Sequence, residues 1–285
     1  MKSVLVVAHD AGAAEIIGAY LKTHTKGKHY SVYAAGPAAR IFRRERIPFR
    51  VIRENKKNIA HIVAKHRDAA LALLGTGWMT TIERESLTCA KKAGIRTAVY
   101  LESWGDYRTR FGYPAKNWKD TLPDELWVGD RFAWTLAGHY FPGVARRMVR
   151  NQYLAGIASR YRKSSKRRDR IVFMSRPAPN TAHMIKELLQ HTHYPIRIRL
   201  HPAEDPKRFD GLIKQHKGRI EKSREKDLVH DLVRARAVVG PETVAMVASA
   251  SVHIPTVRIC TGTPILPHHI QTATTVARAL KILRL

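Results

Sequence analysis

The residues best equipped for chemistry lie in a short stretch near the C-terminal end, AVVGPETVAMVASASVHIPTVRI, running from Ala237 to Ile259. A brief apolar run, Ala237 to Val239, breaks at Gly240, Pro241, Glu242 and Thr243. A helical run of small residues follows and closes at Pro255, before another β-branched run. The order is strand, turn, helix, strand. A turn of this kind lies at the carboxyl end of its strand. It sets the Glu242 carboxylate and the Thr243 hydroxyl beside a helix N-terminus whose unpaired N–H groups attract phosphate. The position suits the ribose and diphosphate of a nucleotide. Thr243 is equally the residue type of an ordinary N-cap, which needs no ligand.

Two more strand ends in the same half carry polar groups. Ser175, Arg176 and Pro177 follow one apolar run, and His201 and Pro202 follow another. The imidazole of His201 can donate to a phosphate oxygen, and Pro202 fixes the turn that aims it. Together Ser175, Arg176, His201, Pro202, Gly240, Glu242 and Thr243 form the candidate nucleotide site.

The N-terminal half has its own strand-end candidates. Its first turn reads HDAGAAE, with Asp10 and Gly12, and is not the G-x-G-x-x-G fingerprint. A carboxylate where a pyrophosphate would lie argues against NAD. Asp10 is a candidate general base or sugar-hydroxyl ligand, with helix capping as the alternative. Thr76, Gly77 and Trp78 follow a later strand, and Glu102, Trp104, Asp106, Arg108 and Arg110 follow the next, on a long segment from Trp104 to Pro123. Loops of that length are usually functional. Gly12, Thr76, Gly77, Glu102, Trp104, Arg108 and Arg110 are therefore expected to bind a polar, anionic acceptor, with Asp106 the less favoured base. The competing reading is that Trp104 and Trp118 only pin the loop down.

Positioning these groups requires strands alternating with helices. Apolar runs predict strands over 4–8, 30–34, 49–52, 69–74, 97–101 and 125–128, then 171–174, 196–200, 219–221, 237–239 and 256–259, with helical spacing between most of them. Such alternation implies βαβ units and parallel sheets, so the expected class is α/β, with two Rossmann-like parallel-sheet domains facing a cleft. The boundaries are expected at 1–155 for an acceptor domain, 156–169 for a basic linker containing RYRKSSKRRDR, and 170–285 for a nucleotide-binding domain.

Composition bounds the partners. The chain has 285 residues, enough for two moderate cores, and 44% are hydrophobic, as in ordinary globular proteins. With no apolar run near the ~20 residues of a membrane span and no signal-type N-terminus, the expected location is cytoplasmic. Cys89 and Cys260 are too few for a disulfide framework, and the 15 histidines form no metal-ligand motif. There are 51 Lys plus Arg against 23 Asp plus Glu, a formal net charge of +28. That field draws in polyanions: nucleic acid, an anionic inner membrane face or acidic glycans. A nucleic-acid-binding role is one alternative, although no RRM, KH, zinc-finger or homeodomain signature accompanies the charge.

On these residues the chain resembles GT-B glycosyltransferases and related nucleotide-sugar enzymes of bacterial polysaccharide biosynthesis. His201-Pro202 is similar to the HP of bacterial sialyltransferases and CDP-glycerol-type polymerases, and Gly240–Thr243 to the GxxST turn of the wider group. Thr76–Trp78, Glu102–Phe111 and Pro123–Asp130 look like segments of glycosyltransferase-like proteins. After Thr243 the helix reads AMVASAS, where many GT-B enzymes place a ribose-binding Glu, leaving Glu242 for that role. The resemblance implies metal-independent sugar transfer from a nucleotide-activated donor to a glycan or lipid-linked acceptor, with no cofactor, and the basic stretches Arg160–Arg170 and Arg40–Arg46 imply peripheral contact with an anionic membrane. A nucleotide-sugar epimerase or hydrolase on the same fold is the alternative.

Overall fold

A computed structural model describes every residue except Met1, Trp78, Met79, Ala203, Lys226, Thr263, Pro264 and His268. The Trp78 of the expected acceptor site thus lies outside the described residues. The chain divides into two compact units, Met1–Tyr153 and Leu154–Leu285.

The first unit runs β1 (Lys2–Ala8), α1 (Ala11–Thr23), β2 (Lys28–Ala34), α2 (Gly36–Arg44), β3 (Arg50–Val51), α3 (Lys56–Lys65), β4 (Leu71–Leu74), α4 (Ile82–Lys92), β5 (Thr97–Tyr100), α5 (Tyr107–Arg110), β6 (Glu125–Val128), α6 (Arg131–Tyr140) and β7 (Ala145–Met148). Helix α7 (Gln152–Lys163) leads into the second unit: β8 (Arg170–Met174), α8 (Thr181–His191), β9 (Ile196–Arg199), α9 (Asp210–Gln215), β10 (Ile220–Lys222), α10 (Leu228–Leu232), β11 (Ala235–Gly240), α11 (Val244–Ser251), β12 (Thr256–Ile259), β13 (Gln271–Ala273) and α12 (Val276–Leu283).

Both sheets are parallel throughout, as their apolar strands predict. The first is ordered β3-β2-β1-β4-β5-β6-β7 and the second β10-β9-β8-β11-β12-β13. Counted from its own first strand, each follows the doubly wound order 3-2-1-4-5-6. The chain works outward from the first strand, then returns to its other side. The order therefore reverses between β1 and β4 in one unit and between β8 and β11 in the other. Ligands of open α/β sheets bind outside the carboxyl ends of strands at such reversals.

The core of the first unit joins Val4, Val6, Ile16, Ile17, Phe42, Leu73 and Tyr100, and that of the second joins Ile171, Phe173, Ile185, Leu188, Val239 and Val257. Among the described residues no helix is long and apolar enough to cross a membrane.

Three features depart from the sequence expectation. The segment expected as a linker is helical through Lys163, because Ile157 and Tyr161, one helical turn apart, are both buried. Strands β7 (ARRM) and β13 (QTA) carry no apolar run and form by pairing with β6 and β12. The 104–123 segment is not an open loop. It holds α5 and a 3₁₀ turn, and buries Trp104, Tyr107 and Phe111.

At the second reversal point, Gly240 has φ +151° and a Cβ there would stand 2.3 Å from the Met174 carbonyl oxygen. Backbone of β11 and β8 meets at a distance only glycine permits. Gly240→Ala is expected to destabilise the second unit by about 2 kcal/mol or more in urea denaturation, because strain and a backbone clash act together.

Candidate functional site

At the carboxyl end of the first sheet, the β1–α1 turn, the end of β4 and the end of β5 bring acids together. Asp10 is the N-cap of α1, and its Oδ1 accepts from Gly12 N at 2.9 Å. The capping alternative is thus realised, yet the side chain is only half-buried and keeps a second oxygen for other partners. The approach of the turns is close. A Cβ on Gly12 would meet Glu102 Cγ at 2.8 Å, and one on Gly77 would meet Glu83 Oε2 at 3.1 Å and Asp10 Cβ at 3.6 Å.

Glu102 is buried at the end of β5 and is paired with Arg110 of α5. The Thr76 hydroxyl donates to Glu102, and Arg110 also donates to Thr76 Oγ1 at 2.8 Å and Ser103 Oγ at 2.9 Å. Burial raises the Glu102 carboxyl above its ordinary value, against the pull of Arg110. Burial also opposes the Arg110 charge, but Glu102 outweighs it and keeps the guanidinium firmly charged. Four of the expected binding residues, Gly12, Thr76, Glu102 and Arg110, therefore form one connected cluster with Asp10.

Glu83, in the first turn of α4, belongs to the same cluster and was not anticipated. It is 4% exposed, and its Oε1 accepts from His9 N at 2.6 Å and Asp10 N at 3.1 Å. Its Oε2 is buried without a partner. Desolvation pushes this carboxyl up to about 7, against the two backbone donors.

Other expected residues stand apart. Trp104 is buried and its indole N–H donates to Asp130 Oδ2 at 2.9 Å, so it anchors the segment and offers no platform to an acceptor. Arg108 is exposed with its guanidinium 5.3 Å from the Tyr140 ring centroid, and Asp106 is exposed in a left-handed turn at φ 57°.

In the second unit, Ser175 ends β8 buried, and its hydroxyl donates to Glu204 Oε1 at 2.7 Å. Glu204 Oε2 accepts from His201 N at 2.7 Å, and Arg208 pairs with the same carboxylate. Glu204 thus ties the ends of β8 and β9 together. Arg176 and Pro202 are exposed beside them.

Across the reversal, Thr243 occupies the N-cap position of α11 with extended backbone, but its hydroxyl makes no capping bond. Its Oγ1 is buried and unpartnered. Glu242 is turned away from the helix: Oε1 accepts from Ile265 N at 2.9 Å and Leu266 N at 3.1 Å, with Arg258 Nη1 at 3.4 Å.

No protein-family model matches this chain, and no curated protein matches its sequence. Solved structures do. UDP-GlcNAc 2-epimerase from Neisseria meningitidis, bound to UDP-GlcNAc, is 12% identical with a TM-score of 0.65, covering 92% of this chain and 83% of that one. Anabaena HepE, in complex with UDP and glucose, is 13% identical with a TM-score of 0.68, covering 100% and 89%. E. coli ADP-heptose LPS heptosyltransferase II is 14% identical with a TM-score of 0.51, covering 100% and 98%. What they share with this chain is the fold. It is the GT-B fold, with two Rossmann-like domains, and it hosts epimerases and transferases alike.

The Glu102–Arg110 pair makes a direct prediction. Removing one partner of a buried ion pair leaves the other uncompensated, so Arg110→Met is expected to cost about 3 to 5 kcal/mol in urea denaturation. Adding Glu102→Gln should recover most of that loss, since no charge is then left buried alone.

Proposed function

We propose that this chain is a nucleotide-sugar enzyme that transfers a glycosyl group to a hydroxyl acceptor, with the nucleotide diphosphate held by the second unit. The observation that carries the reading is the buried, unpartnered Thr243 hydroxyl at the N-terminus of α11, at the point where strand order reverses. A diphosphate oxygen would satisfy both that hydroxyl and the open N–H groups of the first turn. Gly240 gives the close approach that such a ligand needs, and Ser175 and His201 flank it on strand ends held by Glu204. The structural neighbours bound to UDP-GlcNAc, or to UDP and glucose, support a nucleotide-sugar ligand. On this reading Glu242 shapes the pocket wall through the 265–266 backbone, and Arg176 and Pro202 border it.

In the first unit Asp10 serves as general base toward the acceptor hydroxyl. It is the half-exposed acid of its cluster, and Glu102 and Glu83 are more deeply buried. Gly12, Thr76, Gly77 and Arg110 shape its surroundings, while Arg108 and the basic surface attract an anionic glycan or lipid-linked acceptor. A peripheral membrane contact belongs to this proposal.

A second reading, epimerisation or hydrolysis of the same nucleotide sugar, draws on a specific observation. Glu83 is pushed up to about 7 and sits beside Asp10, so an acid and a base coexist near neutral pH. Incubation with UDP-, CDP- and ADP-sugars, followed by NMR of the products, separates the readings. An isomerised or free sugar without acceptor favours the second, and product formed only with acceptor favours the first.

Calorimetric titration tests the nucleotide site. Thr243→Val keeps the shape and removes the hydroxyl, and is expected to weaken diphosphate binding about tenfold, or about 1.4 kcal/mol. His201→Ala should weaken it by about 1.5 to 3 kcal/mol. Unchanged affinity in both variants would remove the site.

Asp10→Asn tests the base. Asparagine retains the N-cap, so the fold should hold. Turnover is expected to fall about 10²- to 10⁴-fold, with nucleotide affinity nearly unchanged. Full turnover in this variant would show that Asp10 is no base.

A further inference from the structure

Glu83 is no strand-end ligand, and the transfer reaction proposed above gives it no role. It nevertheless makes the bonds that fix the β1–α1 turn. Its Oε1 receives the N–H groups of two successive residues, His9 and Asp10, from an element more than 70 positions away in sequence. Both donors point outward from the end of β1, beyond the reach of the sheet's hydrogen-bond ladder. Asp10 is then held from two sides: its N–H by Glu83, and its Oδ1 by Gly12 N.

The other oxygen has no such arrangement. Glu83 Oε2 is buried, lacks a partner, and faces Gly77, which has no side chain to cover it. Ionised, Glu83 leaves an oxygen without a donor; protonated there, it leaves a hydroxyl without an acceptor. Neither state is satisfied, so the balance between them is close.

We propose that Glu83 is a positioning residue for Asp10: its carboxyl group fixes the direction of the Asp10 side chain through the His9 and Asp10 N–H groups, and gain or loss of its proton changes that hold. An ionised Glu83 accepts those bonds more strongly, which holds the Asp10 side chain more firmly in place. The charged and titratable groups around Glu83 are His9 and Asp10 on the turn, Arg84 on its own helix, Glu102 at the end of β5 and Arg110 on α5. Of these His9 is held below its usual value by burial, and Glu102 is raised by the same cause.

The sign follows. A carboxyl pushed up to about 7 carries its proton below that pH and loses it above, so the hold tightens and turnover rises as pH increases through neutrality.

The experiment uses the full chain labelled with ¹⁵N. Backbone amide shifts at positions 9 and 10 are followed from about pH 5.5 to 8.5 in the wild type, Glu83→Gln and His9→Gln. In the wild type the two amides should move together with one midpoint near 7. Glu83→Gln, whose amide oxygen can still accept both bonds, should abolish that titration, and His9→Gln should preserve it. Absence of a shared midpoint in the wild type, or its persistence in Glu83→Gln, overturns the proposal. The wild-type result needs no variant to fold.

A kinetic arm rests on the reading of Asp10 as the base. Glu83→Gln should lower kcat about tenfold at pH 8, flatten the rise through neutrality, and leave KM for the donor within about twofold. If no nucleotide sugar is turned over, the functional reading fails, while the amide titration still decides the role of Glu83. If turnover is found and its pH profile is unchanged in Glu83→Gln, the positioning role fails by itself.

Discussion

A parallel sheet cannot satisfy the N–H groups of the turns that leave its strands, and in both units a buried carboxylate does so. Glu83 receives the N–H groups of His9 and Asp10, and Glu204 receives the N–H of His201 and the hydroxyl of Ser175. These bonds hold strand-end turns in place where an ordinary loop would be solvated. Such a bond is worth more in a dry site than at the surface, and its loss leaves a buried group unpaired. The geometry of each candidate site therefore depends on an acid that need not touch a ligand.

This gives a different meaning to the charge of the molecule. With 51 cations and 23 acids, the chain has few carboxylates, yet Glu83, Glu102, Glu125, Glu204 and Asp231 are among its buried polar residues. Several of these acids are neutralised locally by arginine: Arg110 pairs with Glu102, Arg208 with Glu204, and Arg197 and Arg199 with Asp231. Glu83 is the contrast, since its hydrogen bonds come from neutral backbone groups. Desolvation, with no arginine paired against it, pushes its carboxyl up to about 7. The excess cations, by contrast, act at long range on whatever polyanion approaches.

Much of this was legible in the amino-acid sequence, and the misses have physical reasons. The inner strands are continuous apolar runs, so Val4–Ala8, Leu71–Leu74 and Ile171–Met174 announce themselves. The strand ends carrying Asp10, Thr76, Glu102, Ser175, His201 and Thr243 followed from that alternation. Strands β7 and β13 stayed hidden because partner strands impose their conformation on polar residues. Trp104 was misread because a buried indole and an aromatic platform look the same in sequence. Glu83 sits in IERES, which reads as a solvated helix start, although it shares a face with Leu87 and Ala90 at spacings of four and seven. Glu204 follows His201 by three positions, the interval at which a capping-box carboxylate reaches back to an N–H, so HPAE carried a signal of its own.

The same fold serves enzymes that move a sugar and enzymes that isomerise one. On the proposed reading, holding a diphosphate requires a helix N-terminus, a close glycine and a few donors, and α11, Gly240, Ser175 and His201 would supply these whatever happens to the sugar afterwards. The outcome depends on which groups hold protons beside the reacting carbon or hydroxyl. In the first unit Asp10, Glu83 and Glu102 each have a different setting: capping and half-exposed, buried among backbone donors, or buried against an arginine. Carboxyl groups in settings this different can divide the roles of acid, base and electrostatic anchor. Small changes around such a cluster can therefore change a reaction while the fold stays as it is.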